Sequence, residues 1–240
     1  MKTLIKAFTA VAILSAGMSS AMAGDTTWTF NGSNMTYNGY FNGNTYTKTV
    51  GQDTVTIKSY SDSKYGAGGN VHSAETVLYN GGFGVYGRHD NQHTTDNYSG
   101  TDMLLFSFGE AVKLTSVQLG YVEAGYDSDV SIAAFSSLPA ITGNSWANIA
   151  TQAIFKTNIS NIGVGIGELA GAIPEAQYWL VGAYNNVFGN TWTMGNDKFK
   201  LLALTTHSAD EEPPVDVPAP GTAILLTLGV GLIALRRRQK

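Results

Sequence analysis

The residues best suited to chemistry are carboxylates gathered in short polar loops. Asp90, Asp96, Asn97 and Asp102 lie close together, and Asp127-Ser128-Asp129 forms a second acidic loop. A hard cation such as calcium takes six to eight oxygen ligands at about 2.3–2.6 Å, and such loops supply them. No EF-hand spacing is present. The expectation is a structural calcium drawn from Asp90, Asp96, Asp102, Asp127 and Asp129, with the two loops meeting at one edge of the fold. The plainer alternative is that Asn and Asp form turns and nothing more.

Two other strings imitate known sites. His89-Asp90-Asn91-Gln92-His93 resembles the H-E-x-x-H zinc pattern, which works only when both histidines share one helix face. Aspartate is too short to place the base. The surrounding Gly81-Gly82, Gly84, Gly87 and Thr94-Thr95-Asp96-Asn97 are poor helix formers, so a polar loop is expected. The G-x-G-x-x-A string at 163–170 lacks the βαβ setting of a dinucleotide site and reads as a glycine-rich surface connection. No G-x-S-x-G elbow occurs. Eighteen acids leave a paired-carboxylate glycosidase open as an alternative. Aromatic planes suit sugar C–H faces, and Trp146, Trp179, Trp192, Tyr184 and Tyr86 are the aromatics considered. Trp192, Trp146 and Tyr86 are kept as candidate carbohydrate contacts. Trp192, in the Gly189-Asn190-Thr191-Trp192 loop, is the one least expected to be buried.

Composition narrows the classes further. The 240-residue chain has no cysteine, which excludes disulfides, thiolate metal sites and thiol catalysis. Its net charge of -4 conceals an asymmetry. Lys2, Lys6, Arg236, Arg237, Arg238 and Lys240 sit at the two ends, whereas all 18 acids lie between Asp25 and Asp216. The middle is therefore acidic, at about -10, and unsuited to neutralising nucleic-acid phosphates.

The elements that must hold these residues read as strands. Segments 45–50 and 54–60 alternate and are rich in β-branched and aromatic residues, with Gly51-Gln52-Asp53 as the hairpin loop. Further strands are expected at 75–79, 84–86, 103–108, 112–122, 130–135, 177–184 and 199–205, joined by Gly, Asn, Asp and Ser clusters. One helix is expected at 145–155, capped by Ser145, with Trp146, Ile149, Ala150 and Ile154 on one face. The fold class is all-β: a single β-sandwich or jelly-roll-like domain over 24–206 with one short helix.

The two ends read as targeting segments. Lys2 and Lys6, an apolar stretch at 7–16, and Ala21-Met22-Ala23 before Gly24 have the order of a secretory signal over 1–23. The expected partners are the Sec translocon and signal peptidase. At the other end, an acidic proline-rich linker (207–216) precedes Val217-Pro218-Ala219-Pro220-Gly221. An uncharged apolar segment, about 221–235, and a basic tail at 236–240 follow. Counted from Val217 to Leu235 the uncharged stretch is 19 residues, just enough for one membrane crossing, and the terminal bases would stay cytoplasmic.

This tripartite tail resembles the PEP-CTERM sorting signal of Gram-negative bacteria. The matching positions are Pro218, Ala219 and Pro220, then the apolar segment, then Arg236, Arg237 and Arg238. Ala219 stands where the name-giving pattern has glutamate; tails reading V-P-A-P-G form a variant of it. Two looser likenesses lie in the middle of the chain, at 84–114 and at 178–201. The resemblance implies cleavage at the proline motif by a membrane-embedded exosortase, with only transient membrane attachment. It implies passage to the cell surface and association with its exopolysaccharide matrix, and it brings no established enzymatic activity to carry over. The alternative is a periplasmic adhesive domain that stays anchored.

Overall fold

The computed structural model describes residues 24–208, apart from 33–34, 40, 63–68 and 88–92. They belong to one compact unit, Ala23–Ala209. The signal segment with Ala21 and Ala23, the linker, the proline motif Pro218-Ala219-Pro220, the apolar segment and Arg236 to Arg238 lie outside the described residues, as do His89 and Asp90. Among those described, no helix is long and apolar enough to cross a membrane.

The fold is all-β apart from two short helices. In chain order the strands are β1 (Asp25–Thr29), β2 (Met35–Asn38), β3 (Thr45–Val50), β4 (Asp53–Ser61), β5 (His72–Ser73), β6 (Glu75–Tyr79), β7 (Gly82–Tyr86) and β8 (Thr95–Asp96). Then come β9 (Asp102–Val122), β10 (Val130–Phe135), β11 (Phe155–Ile159), β12 (Gly165–Glu168), β13 (Ala176–Ala183) and β14 (Lys198–His207). Helix α1 (Trp146–Ala150) precedes β11, and a single 3-10 turn spans Asn186–Phe188.

β9 organises the topology. Its first part pairs with β4 and β13, which carry β3, β2 and β5 on one side and β10 and β11 on the other. Its second part pairs with β12 and β14. The far edge of β14 is shared by β1, β7 and β8, with β6 beyond β7. The sequence suggests two strands separated at Gly109-Glu110-Ala111. The structure instead runs one 21-residue strand through that exposed stretch. Glycine without a Cβ lets a strand turn such a corner and keep pairing on both sides.

Both halves of β9, with the strands that pair with each, contribute to one core. Phe30 stacks on Phe106 (5.6 Å) and meets Phe83 (5.1 Å), while Trp28 meets Phe108 edge-on (5.5 Å). A second cluster forms on the other side of β9, β10 and β13, where α1 and the 3-10 turn cover Met103, Leu105, Phe135 and Leu180. The early part of β9, β10 and much of β13 are thus buried on both faces. That is why they read as continuous apolar runs rather than alternating ones. Close packing of β7 on β14 requires Gly82: at φ 109° a Cβ would stand 2.2 Å from the Leu201 carbonyl oxygen.

α1 is shorter than the sequence suggests. Ser145 caps it as expected, accepting from Asn148 N at 3.2 Å. The helix ends at Thr151, because the Ile154 N–H goes to the Ala134 carbonyl and Phe155 opens β11 beside β10. Sheet pairing overrides a helical period here. The glycine-rich 163–170 segment supplies an edge strand, β12, rather than a bare connection.

Candidate functional site

Three aspartates converge where β10 and β14 begin. Asp129 precedes β10 and Asp197 precedes β14; a parallel bridge pairs Asp127 with Asp197. Asp127 N–H donates to the Asn196 carbonyl (2.6 Å) and Lys198 N–H to the Asp127 carbonyl (3.2 Å). Backbone pairing therefore holds the two loops together. One carboxylate oxygen from each of Asp127, Asp129 and Asp197 lies within 4.8 Å of the others, a set able to hold a metal ion.

Neighbouring donors fix the carboxylates. Asp197 is fully buried. Its oxygens accept from Asn97 Nδ2 (2.6 Å) and Asp129 N–H (2.7 Å). Asp129 accepts from Asn161 N–H (2.7 Å) and Asp127 from Ser128 N–H (2.8 Å). Among the described residues no lysine, arginine or histidine forms an ion pair with any of the three. Burial, reinforced by Asp129 and Asp127, pushes the Asp197 carboxyl up to about 7 against hydrogen bonds that lower it. Burial also raises Asp129, with Asp127 adding to the effect. Clustered acids that lack a counter-charge must take up a proton or a cation.

The cluster has a second face. Asn97-Tyr98, Tyr126-Asp127 and Asp197-Lys198 are three adjoining dipeptides. One member of each serves the carboxylate cluster, and the other joins a box in which the Lys198 ammonium lies over Tyr98 (4.7 Å) and Tyr126 (4.2 Å). The ammonium is thereby held against aromatic rings.

A cleft of about 400 Å³ opens on the cluster, lined by Asp127, Asp129, Ser160, Asn161, Trp192, Thr193 and Asn196. Trp192 is half-buried and lies 5.2 Å from the Tyr184 ring. Tyr184 is fully buried; its hydroxyl donates to the Asn190 carbonyl and accepts from Trp192 N–H (2.7 Å). The tryptophan loop is thus pinned from below.

The structure sorts the sequence candidates. Asp127 and Asp129 join each other and line the same cleft as Trp192. Asp96 and Asp102 are buried together elsewhere: Asp102 accepts from Asp96 N–H (3.4 Å), and Asp96 accepts from Thr94 Oγ1 and Tyr98 N–H. They are not among the three clustered carboxylates. The two loops share no set of aspartates; Asn97 donates to Asp197, which in turn accepts from Asp129 N–H. Trp146 is 3% exposed, packed in the second core against Phe188, which removes it as a surface contact. Trp179 is likewise fully buried. Tyr86 is half-buried, stacked on His93 at 5.4 Å, and does not line the Trp192 cleft. Asp197 is the member of the cluster that sequence reasoning missed. Its only signal is an Asn-Asp pair directly before a strand, and pairing across 68 residues is needed to bring it to Asp129.

The same geometry bears on acid–base chemistry. Asp197 is the carboxyl poised to hold a proton near neutrality, yet it is fully buried with both oxygens engaged. A general acid must reach its substrate within hydrogen-bond distance. No family model matches this chain, and neither a curated protein nor a solved structure does.

Proposed function

We propose that this chain is an exported cell-surface protein of the PEP-CTERM type, whose β domain is a non-catalytic module contacting polysaccharide. The Sec route exports it, signal peptidase cuts after Ala23, and an exosortase-type enzyme processes the tail at Pro218 to Pro220. The domain then stands at the surface or in the extracellular matrix, its two sets of strands forming the layers of a jelly-roll-like β-sandwich. What supports this reading is the order of parts at the two ends of the sequence: bases, apolar stretch and small residues before Gly24, and proline motif, apolar segment and arginines at 218–238. Within the domain, Asp127, Asp129 and Asp197 hold calcium. The observation that carries this is three carboxylates within 4.8 Å, with no ion pair to any of them among the described residues. Oxygen-only ligands suit a hard cation. In a chain without cysteine, that ion replaces a disulfide as the staple between the β10 and β14 loops.

The export reading is tested by the intact mass of protein recovered from the cell surface. It should begin at Gly24 and lack the residues beyond the proline motif. Surface material that still carries Arg236 to Lys240 would contradict processing.

A further inference from the structure

We infer that the cation at Asp127, Asp129 and Asp197 is also the recognition element of the cleft, binding a saccharide through two adjacent hydroxyl groups while Trp192 supports the sugar ring. This rests on the reading of the three aspartates as a cation site. A second observation points the same way. Asn196 Oδ1 is buried and accepts no hydrogen bond, although its own Nδ2 faces Asp127 at 3.4 Å. A buried carbonyl oxygen without a donor costs free energy, and beside carboxylates the partner it lacks is a cation. The cluster offers three carboxylate oxygens, one from each aspartate.

Calcium takes six to eight, so coordination positions remain for oxygens from outside. The surroundings choose which. The cleft is about 400 Å³, and its remaining walls are Ser160, Asn161 and Thr193, all hydrogen-bonding groups. Its one aromatic lining residue is the half-buried Trp192, whose ring lies 5.2 Å from that of Tyr184. A phosphate or free carboxylate would find no lysine or arginine lining the cleft. A sugar with neighbouring hydroxyls fits each feature: two neutral oxygens for the cation, further hydroxyls for the walls and an apolar C–H face for the indole.

The test uses the full chain in two measurements. Calcium binding is followed by calorimetry. Polysaccharide binding is followed by retardation in gels containing mannan, galactomannan or xylan, with millimolar calcium or with excess chelator. The expected result is retardation by at least one polysaccharide in calcium and none in chelator. Asp127→Asn should weaken calcium binding and abolish retardation. Trp192→Ala should reduce retardation about tenfold while leaving calcium affinity within about twofold, and Trp192→Phe should retain part of it. Calcium binding without retardation in any gel would overturn the inference and leave the cation as a staple. Retardation that persists in chelator would overturn it and leave a metal-free polysaccharide contact. Absence of calcium binding would remove both the inference and the cation site beneath it.

Discussion

The cleft at Asp127 and the pocket at Trp28 each combine a tryptophan with carboxylates, at opposite ends of β14. The pocket, of about 190 Å³, is lined by Trp28, Phe108, Thr26, Thr206, Asp53 and Glu110 among others. There Trp28 is 2% exposed and its indole N–H donates to Thr206 Oγ1 (2.9 Å), so it belongs to the core. Asp53 and Glu110 lie exposed to water. At the cleft the arrangement is reversed: the tryptophan is half-exposed and the carboxylates converge, two of them nearly or fully buried. Desolvation and convergence separate a site from a dent in the surface, and neither is a property of residue type.

The largest expected difference between the two places is in stability. Trp28→Ala should cost about 3–5 kcal/mol, the range for emptying a buried aromatic position. Trp192→Ala should cost under about 1 kcal/mol, as for a residue outside the core. Denaturant unfolding of both variants checks this, and equal losses would erase the distinction. Calcium comes next. At a hundredfold excess over its dissociation constant it should stabilise the native state by about 2.7 kcal/mol. Thermal unfolding should show that shift in the wild type and in Asp53→Asn, and lose most of it in Asp127→Asn.

A pH effect follows, smaller and opposite in sign once the ion is removed. Asp197 ionises near 7 in the folded chain, against 3.8 as its ordinary value. The native state therefore binds more protons in that window, and stability falls as pH rises from about 4 to about 7. Asp129 is shifted in the same direction. In chelator at pH 8, Asp197→Asn should be more stable than the wild type by on the order of 2 kcal/mol. In saturating calcium the order should reverse, because the variant lacks a ligand. Melting curves at pH 4, 6 and 8, with and without calcium, separate the two signs. Smallest of all, Glu110→Gln and Asp53→Asn should shift stability by no more than about 0.5 kcal/mol.

Much of the fold was legible because burial leaves a pattern. β3, β6, β10 and the bulk of β13 and β14 fall where β-branched and aromatic runs placed them. β1, β2, β11 and β12 were not seen. They are short edge or flanking strands whose identity depends on the partner they meet; β12, a Gly-Ile-Gly-Glu segment, has no strand signature of its own. The continuity of β9 across Gly109 was hidden for a related reason, since a glycine between apolar runs reads as a break unless strands wait on both sides.

The site was half legible. Asp127 and Asp129 announce themselves by spacing, and Trp192 by its turn-rich loop. Asp197 does not, because it reaches the cluster through the order of strands, and Tyr184, considered as a sugar contact, is instead a buried support for Trp192. Asp96 and Asp102 carried the same acidic signal and went elsewhere, which shows that a loop's composition does not say which loop it will face. Trp146 misled for a comparable reason: on a five-residue helix its side chain turns inward under the 3-10 turn.

The central claim is that Asp127, Asp129 and Asp197 form a cation site, and calcium calorimetry on the full chain at pH 7.5 tests it most directly. The account expects one calcium per chain in the wild type and greatly weakened binding in Asp127→Asn and Asp197→Asn. No heat at millimolar calcium, or variants that bind as the wild type does, would contradict it.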